Sequence, residues 1–230
     1  MLSFTYLQLN IFSRYIKAMS YTIFHGEDLD GISSDEIISS YFDPSFVGTM
    51  LDVGASHPIE NSCSYYFERN GWEVIMVEAN PFWIPLLKTE RRGKVLNYAA
   101  TEKDMDDADF FVAHFYHEVS GAISSLQPDD RLVRMYAHMV TGSETVKVTA
   151  RRLDWILMHH AADCKKIDVV SIDVEGGELA ALRGFDIQRW QPALFVIENN
   201  FEDHDIRDYL GGYGYRLDRR ESVNEYFLKK

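Results

Sequence analysis

Residues 48–80 read GTMLDVGASHPIENSCSYYFERNGWEVIMVEAN, and this stretch decides the fold class. The segments that lead to Gly54 and to Glu78 are continuous apolar runs of strand length, without the alternation of a half-exposed strand. Between them, aromatic residues and Arg69 recur at helical spacing until Asn70-Gly71 ends the pattern. A strand, a helix and a second strand in this order predict one β-α-β unit of a parallel sheet that is covered on both faces.

The same rhythm continues outward from this unit. Further buried strands are predicted within 94–100, 165–176 and 193–200, with helices within 81–92, 177–185 and 203–212. Two strand-like pieces at 213–220 and 224–230 close the sequence and predict a hairpin. We therefore expect an α/β fold with a doubly wound, mostly parallel seven-stranded sheet, helices on both faces and an antiparallel C-terminal edge.

Three segments are predicted from breaks in this rhythm. Residues 1–46 form an N-terminal extension with a short lead-in helix that Ser34 caps, and Met1 and Met19 are both plausible starts. Residues 47–230 form a single domain, with an insertion at 102–149. The insertion begins with the acidic run EKDMDDAD, interpreted as a solvated turn, and it holds one short strand, FFVA. Because it follows a strand end, it is expected to be a lid over the acceptor.

Composition narrows the function classes. The formal net charge of -13 disfavours nucleic acid as a partner. Cys63 and Cys164 match neither a metal-ligand spacing nor a disulfide framework, which favours a reducing, cytoplasmic compartment. No apolar run approaches the roughly 18 residues of a membrane span. A small molecule or a glycan is the expected partner.

The turn after the first strand and the end of the second are candidate cofactor-binding positions. Asp52, Gly54 and Ser56 lie in the first turn, where a glycine would let the backbone approach a ligand. Glu78 follows Gly54 by 24 residues, close to the ~20-residue spacing at which an acidic residue binds ribose hydroxyls, and Asn80 comes two residues after Glu78. The glycine-rich pyrophosphate fingerprint is missing, so a nucleoside is favoured over a dinucleotide.

Carboxylates follow the fourth and fifth predicted parallel strands. Asp173 and Glu175 follow one strand and Glu198-Asn199 ends the next, whereas Glu178 is interpreted as the start of a helix. Such a group fits a general base or a substrate-hydroxyl site, and a hard cation such as Mg²⁺ is the less favoured alternative. No metal ligands are assigned.

In order along the chain, DVGASHP, SYYFERNGW, VEANP, SSL, RRLDWIL, IDVVSIDVEGGEL and VIENN resemble the FkbM-type methyltransferase family from about Met50 to Phe201. The resemblance implies a Rossmann-like class I methyltransferase fold and S-adenosylmethionine as cofactor, with methyl transfer to hydroxyls of sugars or polyketide-like molecules. Carried over to this sequence, it implies that Asp52, Gly54 and Ser56 flank the methionine part, and that Glu78 holds the ribose. It further implies that Asn80 and Ala100 lie near the adenosine and that Asp173 faces the methionine amine.

A hydroxyl acceptor must lose a proton, so the candidate catalytic residues are Asp173 for orientation and Glu175 and Glu198 as substrate-binding or basic groups. Two other function classes stay open from the sequence. An NAD-dependent oxidoreductase would share the Gly54 to Glu78 spacing, and a non-catalytic module could keep the cofactor fold for binding alone.

Overall fold

A computed structural model of the chain describes residues 24, 26, 32–115 and 124–230. In chain order its helices and strands are α1 (Ser34–Ser39), β1 (Thr49–Val53), α2 (Tyr65–Arg69), β2 (Glu73–Val77), α3 (Trp83–Glu90), β3 (Lys94–Leu96), β4 (Ala99–Ala100), β5 (Met105–Phe115), β6 (Ser124–Ser125), α4 (Asp130–Tyr136), β7 (Val140–Arg151), α5 (Leu153–His160), β8 (Val169–Ile172), α6 (Glu178–Arg183), α7 (Ile187–Trp190), β9 (Leu194–Glu198), α8 (His204–Gly212), β10 (Tyr215–Glu221) and β11 (Asn224–Lys229).

The main sheet has seven strands in the order β10-β11-β9-β8-β1-β2-β3. Neighbours from β9 to β3 pair in parallel, whereas β11 runs antiparallel to both β9 and β10. The order reverses at β1, which continues to β2 on one side and lies beside β8 on the other. The predicted doubly wound sheet with an antiparallel C-terminal hairpin is confirmed, and its ligand crevice is expected at this reversal.

Helices cover both faces of the main sheet because successive strand residues point to opposite sides. Leu51 and Val53 pack with the apolar sides of α5, α6, α7 and α8 in one buried cluster. Met50, from the same strand, packs with α1, α2 and α3 in a second cluster. Burial on both faces explains why these strands appear in the sequence as continuous apolar runs.

A second sheet of four strands has the order β4-β7-β5-β6. The single third strand expected at 94–100 is therefore wrong: it divides into β3 in the main sheet and β4 in the second sheet. The solvated turn expected at 102–109 is also wrong, because Met105 to Asp109 form the first part of β5. The insertion expected at 102–149 contributes β5, β6, α4 and most of β7, and β5 and β7 form a long antiparallel pair.

Three smaller differences concern helix ends. Helix α1 begins with Ser34, and Ser33 is its N-cap, so the cap lies one residue earlier than expected. Helix α3 begins at Trp83 instead of Pro81. The short helix α7 was not expected. The alternative starts Met1 and Met19 lie outside the described residues. Within the described ranges, no helix has the length and apolar character needed to cross a membrane.

Candidate active site

A cavity of about 830 Å³ opens at the carboxyl ends of β1, β2, β8 and β9. Its floor is formed by the segments that follow these strands, and its other walls include residues of the second sheet and of the segments around it. Of the sequence-predicted site residues, these line the cavity: Asp52, Gly54, Ser56, Glu78, Ala100, Asp173, Glu175 and Glu198. The topology thus brings together residues from five different strand ends, as expected for an open α/β sheet.

Glu78 is held rigidly at the end of β2. Its Oε2 atom accepts a hydrogen bond from the Ser56 amide at 2.8 Å, and its Oε1 atom accepts one from the Asn80 amide at 2.6 Å. Burial raises the pKa of Glu78 to about 7, although the two backbone N–H groups act to lower it. Each oxygen keeps acceptor capacity for a further donor, which suits a pair of ligand hydroxyls.

The turn after β1 has two unusual backbone conformations. Gly54 has a φ of 88°, and a Cβ atom placed there would lie 1.6 Å from the carbonyl oxygen of Asp173. A side chain at this position would therefore clash with the segment after β8, which is a reason for glycine in addition to the close approach of a ligand expected from the sequence. Ser56 has a φ of 47°, uncommon for a residue with a side chain, and its amide binds Glu78.

Asp52 is 4% exposed and lies on β1, one residue before the strand ends. Its Oδ2 atom accepts a hydrogen bond from the Ser64 hydroxyl at 2.5 Å, and the Cys63 thiol lies 3.6 Å from Oδ1. The same thiol donates to the Ser171 hydroxyl at 3.3 Å. Burial raises the pKa of Asp52, while the Ser64 hydroxyl and the charge of Arg91 oppose that rise. Asp52 is therefore a buried acid whose ionisation depends on its neighbours.

Two of the predicted cofactor positions lie at different depths. Ala100, on β4 of the second sheet, lines the cavity. Asn80 is 2% exposed, and its side-chain oxygen accepts from the Phe82 amide at 3.0 Å as part of the turn into α3. The structure does not place the Asn80 side chain among the cavity-lining residues, so its contact with the site is through its amide on Glu78.

The carboxylates of Asp173, Glu175 and Glu198 meet on the wall of the cavity. One oxygen from each lies within 4.8 Å of the others, close enough to share a proton, a hydroxyl or a single cation. Glu198 is 8% exposed, and its burial, together with the charges of Asp173 and Glu175, raises its pKa well above the usual range. A buried carboxyl with a raised pKa beside two others is suited to proton transfer.

Glu178 begins helix α6, as interpreted from the sequence, and does not belong to this group of carboxylates. Its Oε1 atom accepts hydrogen bonds from the amides of Val174 and Gly176, at 3.1 and 2.9 Å. The side chain thereby ties the segment after β8 to the first residue of α6. It shapes the site without lining the cavity.

Sequence reasoning missed several residues of the site. Cys63 and Ser64 contact Asp52, and Arg91 lies behind them, yet all three come from segments that were interpreted only as helix or helix boundary. The insertion also contributes lining side chains that no motif marked, among them Phe110, Gln127, Tyr136 and Met139. Their roles depend on tertiary contacts, for which a single sequence carries no local signal.

Known proteins that resemble this chain include methyltransferases. The sequence profile described as the methyltransferase FkbM domain matches residues 52–217. Methyltransferase sdnD of Sordaria araneosa is 30% identical over 98 residues, which are 37% of this chain and 38% of that protein. The crystal structure of a TehB-like SAM-dependent methyltransferase from Corynebacterium glutamicum aligns over 96% of this chain and 97% of its own, with a TM-score of 0.44 and 12% identity. Because the profile spans more than half of the sequence, the chain belongs to the FkbM methyltransferase family.

Proposed function

We propose that this protein transfers a methyl group from S-adenosylmethionine to a hydroxyl oxygen of a sugar, a glycan or another small metabolite. The carrying observation is the group of three carboxylates, Asp173, Glu175 and Glu198, on the wall of a cavity that is also lined by Glu78 and the turn after β1, which have the features of a nucleoside site. A hydroxyl is a weak nucleophile until its proton is removed, and this group supplies a proton acceptor where the acceptor would bind.

Glu78 and the turn after β1, together with Asp173, fit the cofactor. Glu78 offers fixed acceptor atoms for the two ribose hydroxyls. Asp52, Gly54 and Ser56 would flank the methionine part, and Asp173 would face its ammonium group. Ala100 would lie near the adenine, with Asn80 at the adenosine edge holding Glu78. The cavity volume of about 830 Å³ leaves room for both a nucleoside cofactor and an acceptor.

When bound, the cofactor would supply an electrophilic methyl group on a sulfonium. The chain's own task is then to hold the acceptor oxygen in line with that group and to exclude water. Asp173 orients the cofactor and the acceptor, and Glu175 and Glu198 bind the acceptor hydroxyl and take its proton. The raised pKa of Glu198 makes its carboxylate a stronger base than an ordinary glutamate.

The acceptor is expected to be uncharged. Besides the three central carboxylates, the lining includes Glu60, Glu102 and Asp109. Among the described lysines and arginines, Lys103 is the one that lines the cavity, so negative side chains outnumber positive ones there. A phosphate or carboxylate on the acceptor would be repelled by this field. The two thiols Cys63 and Cys164 are unpaired, which supports a reducing, cytoplasmic compartment.

Calorimetric titration with S-adenosylhomocysteine and, separately, with NAD tests the cofactor before the acceptor. We expect micromolar binding of S-adenosylhomocysteine and at least a ~100-fold loss in Glu78→Ala, because two charge-assisted hydrogen bonds disappear. Binding of NAD alone would support an oxidoreductase, and binding of neither would support a non-catalytic module. After binding is established, transfer of a labelled methyl group to neutral glycans and hydroxylated metabolites tests the reaction.

A further inference from the structure

A buried arginine lies behind the cofactor end of the cavity, outside the cavity lining. The side chain of Arg91 is 0% exposed, although it carries a full charge. Its Nε atom pairs with Glu68 at 3.0 Å, and its two terminal nitrogens donate to the Pro58 carbonyl, the Ser62 hydroxyl and the Ser64 hydroxyl at 3.1, 3.1 and 2.8 Å. One guanidinium thus fixes the segment from Pro58 to Ser64, which borders the cavity.

Glu68 balances the charge of Arg91 and is itself fully engaged. Its carboxylate also accepts from the Arg92 and Gly93 amides, at 2.9 and 3.1 Å. A buried ion pair is costly unless its remaining hydrogen bonds are satisfied, and here both partners have them. The pair is therefore a rigid anchor from which Arg91 can reach Ser64, and the fork of the guanidinium suits two hydroxyls at once.

Ser64 connects this anchor to Asp52. The hydroxyl of Ser64 accepts from Arg91 and donates to Asp52, so it transmits the positive charge of the guanidinium toward the carboxylate. Ser64 is 0% exposed, so its hydroxyl is shielded from bulk solvent. Asp52 lies in register with Ser171 on β8, in the middle of the sheet, where burial favours the protonated form of a carboxylate that lacks such support.

We propose that Arg91, acting through Ser64, positions Asp52 and keeps its carboxylate ionised to bind the cationic amino end of the cofactor. This inference rests on the proposed function of the cavity. Arg91 and Ser64 are positioning residues, because neither lines the cavity. Asp52 requires this stabilisation because its burial raises its pKa and so disfavours the ionised carboxylate.

Other ionisable groups around Asp52 enter the pH dependence and have to be held constant. They are Cys63 and Glu78 on the cavity side and Arg91 with Glu68 behind Ser64. Glu78 titrates at about pH 7 and will shape the profile of the unmodified protein. A comparison of two variants that differ only at the Asp52 contact removes this contribution.

The chain offers such a matched pair in Ser64→Ala and Ser62→Ala. Both serines are buried and both accept from Arg91, but only Ser64 donates to Asp52. We expect the pH at which S-adenosylhomocysteine affinity falls to lie about one unit higher in Ser64→Ala than in Ser62→Ala. Below the fall in both variants this corresponds to about a tenfold weaker affinity, and above it the two variants converge. The measurement is calorimetric titration from pH 5 to 8.

A second ligand separates the cationic end from the rest of the cofactor. 5′-Methylthioadenosine lacks the amino-acid end, so its affinity should follow the same pH profile in both variants. Should Ser64→Ala not fold, as judged by thermal melting, Ser64→Cys keeps the size of the side chain with a weaker donor and carries the same expectation. Identical S-adenosylhomocysteine profiles in the Ser64 and Ser62 variants would overturn the inference. Absence of binding by the unmodified protein would instead overturn the proposed function.

Discussion

The two ends of the cavity both depend on buried carboxylates, but the surroundings of these carboxylates are opposite. At the cofactor end, Glu78 accepts from two backbone amides, and Asp52 accepts from Ser64 with Arg91 behind it. At the acceptor end, Glu198 faces two further carboxylates, Asp173 and Glu175. Donors fix an acid as a hydrogen-bond acceptor, whereas neighbouring acids make it a proton acceptor. Under the proposed function, the first group recognises the cofactor and the second takes part in the chemistry.

The largest effect that this contrast predicts concerns Glu198. Glu198→Gln keeps the size of the side chain but removes the proton acceptor, so we expect kcat to fall by about 10²–10⁴-fold. The affinity for S-adenosylhomocysteine should stay within about threefold, because the cofactor end is unchanged. Steady-state kinetics and calorimetry measure the two quantities. Glu178→Gln is the control, since that carboxylate is already occupied by two backbone amides.

The same assay can break the assignment of roles at the acceptor end. Glu175 is the alternative base, and its variant Glu175→Gln belongs in the same series. If Glu175→Gln and Glu198→Gln each left the turnover rate intact, neither carboxylate would take the acceptor's proton. In the unmodified protein the rate should rise with pH through the raised pKa of Glu198, because the base acts only when it is ionised.

A smaller effect is predicted at the cofactor end, where the cost of a buried acid appears in stability. The pKa of Glu78 rises from 4.5 to about 7 on folding, so the folded state keeps a proton that the unfolded chain releases. As the pH rises from about 4.5 to 7, this group should therefore lower the free energy of unfolding by about 3 kcal/mol. Glu78→Gln has no titrating proton at this position, so its free energy of unfolding should not show this decrease with pH.

Urea unfolding at pH 5 and pH 8, without ligand, checks this prediction. The unfolding free energy of Glu78→Gln relative to the unmodified protein should increase from the lower pH to the higher one. Its absolute value also contains the loss of a good acceptor for Ser56 or Asn80, which is why the change with pH is the quantity to compare. An equal difference at both pH values would contradict a raised pKa at Glu78.

Much of the main sheet could be predicted from the sequence, because its strands are buried on both faces and each ends in a polar residue. The runs before Gly54 and Glu78 gave both the strands and the candidate residues at their ends. The order of the strands then brought Asp52, Asp173 and Glu198 to one edge, as the fold class requires.

The second sheet could not be predicted in the same way. The first part of β5 is rich in aspartate and resembles a solvated turn, but its acids are paired with basic residues on β7, as Asp109 is with Lys147. Such cross-strand pairs depend on the register of two distant segments. The role of Arg91 could not be predicted for a similar reason, because its partners come from the segment after β1 and only the folded chain brings them together.

The smallest effect is predicted for removal of divalent cations, and it sharpens the interpretation of the acceptor end. Asp173, Glu175 and Glu198 lie close enough to bind one cation, and Mg²⁺ accepts oxygen ligands of this kind. A cation there would bind the carboxylate oxygens that, in our proposal, take the proton from the acceptor hydroxyl. If Glu198 acts as a base, a chelator should change the rate of methyl transfer by less than about twofold.

The experiment compares the rate in chelator alone, in chelator followed by excess Mg²⁺, and in buffer, with Glu198→Gln run in parallel. A large loss that Mg²⁺ restores would make these carboxylates metal ligands and assign the activation of the hydroxyl to the ion. The affinity for S-adenosylhomocysteine should be the same in all three conditions, because Glu78 and Asp52 bind their donors at the other end of the cavity. If the chelator changed only the rate, the role proposed for Asp173, Glu175 and Glu198 would have to be revised. The role of Glu78 and Asp52 in binding the cofactor would stand.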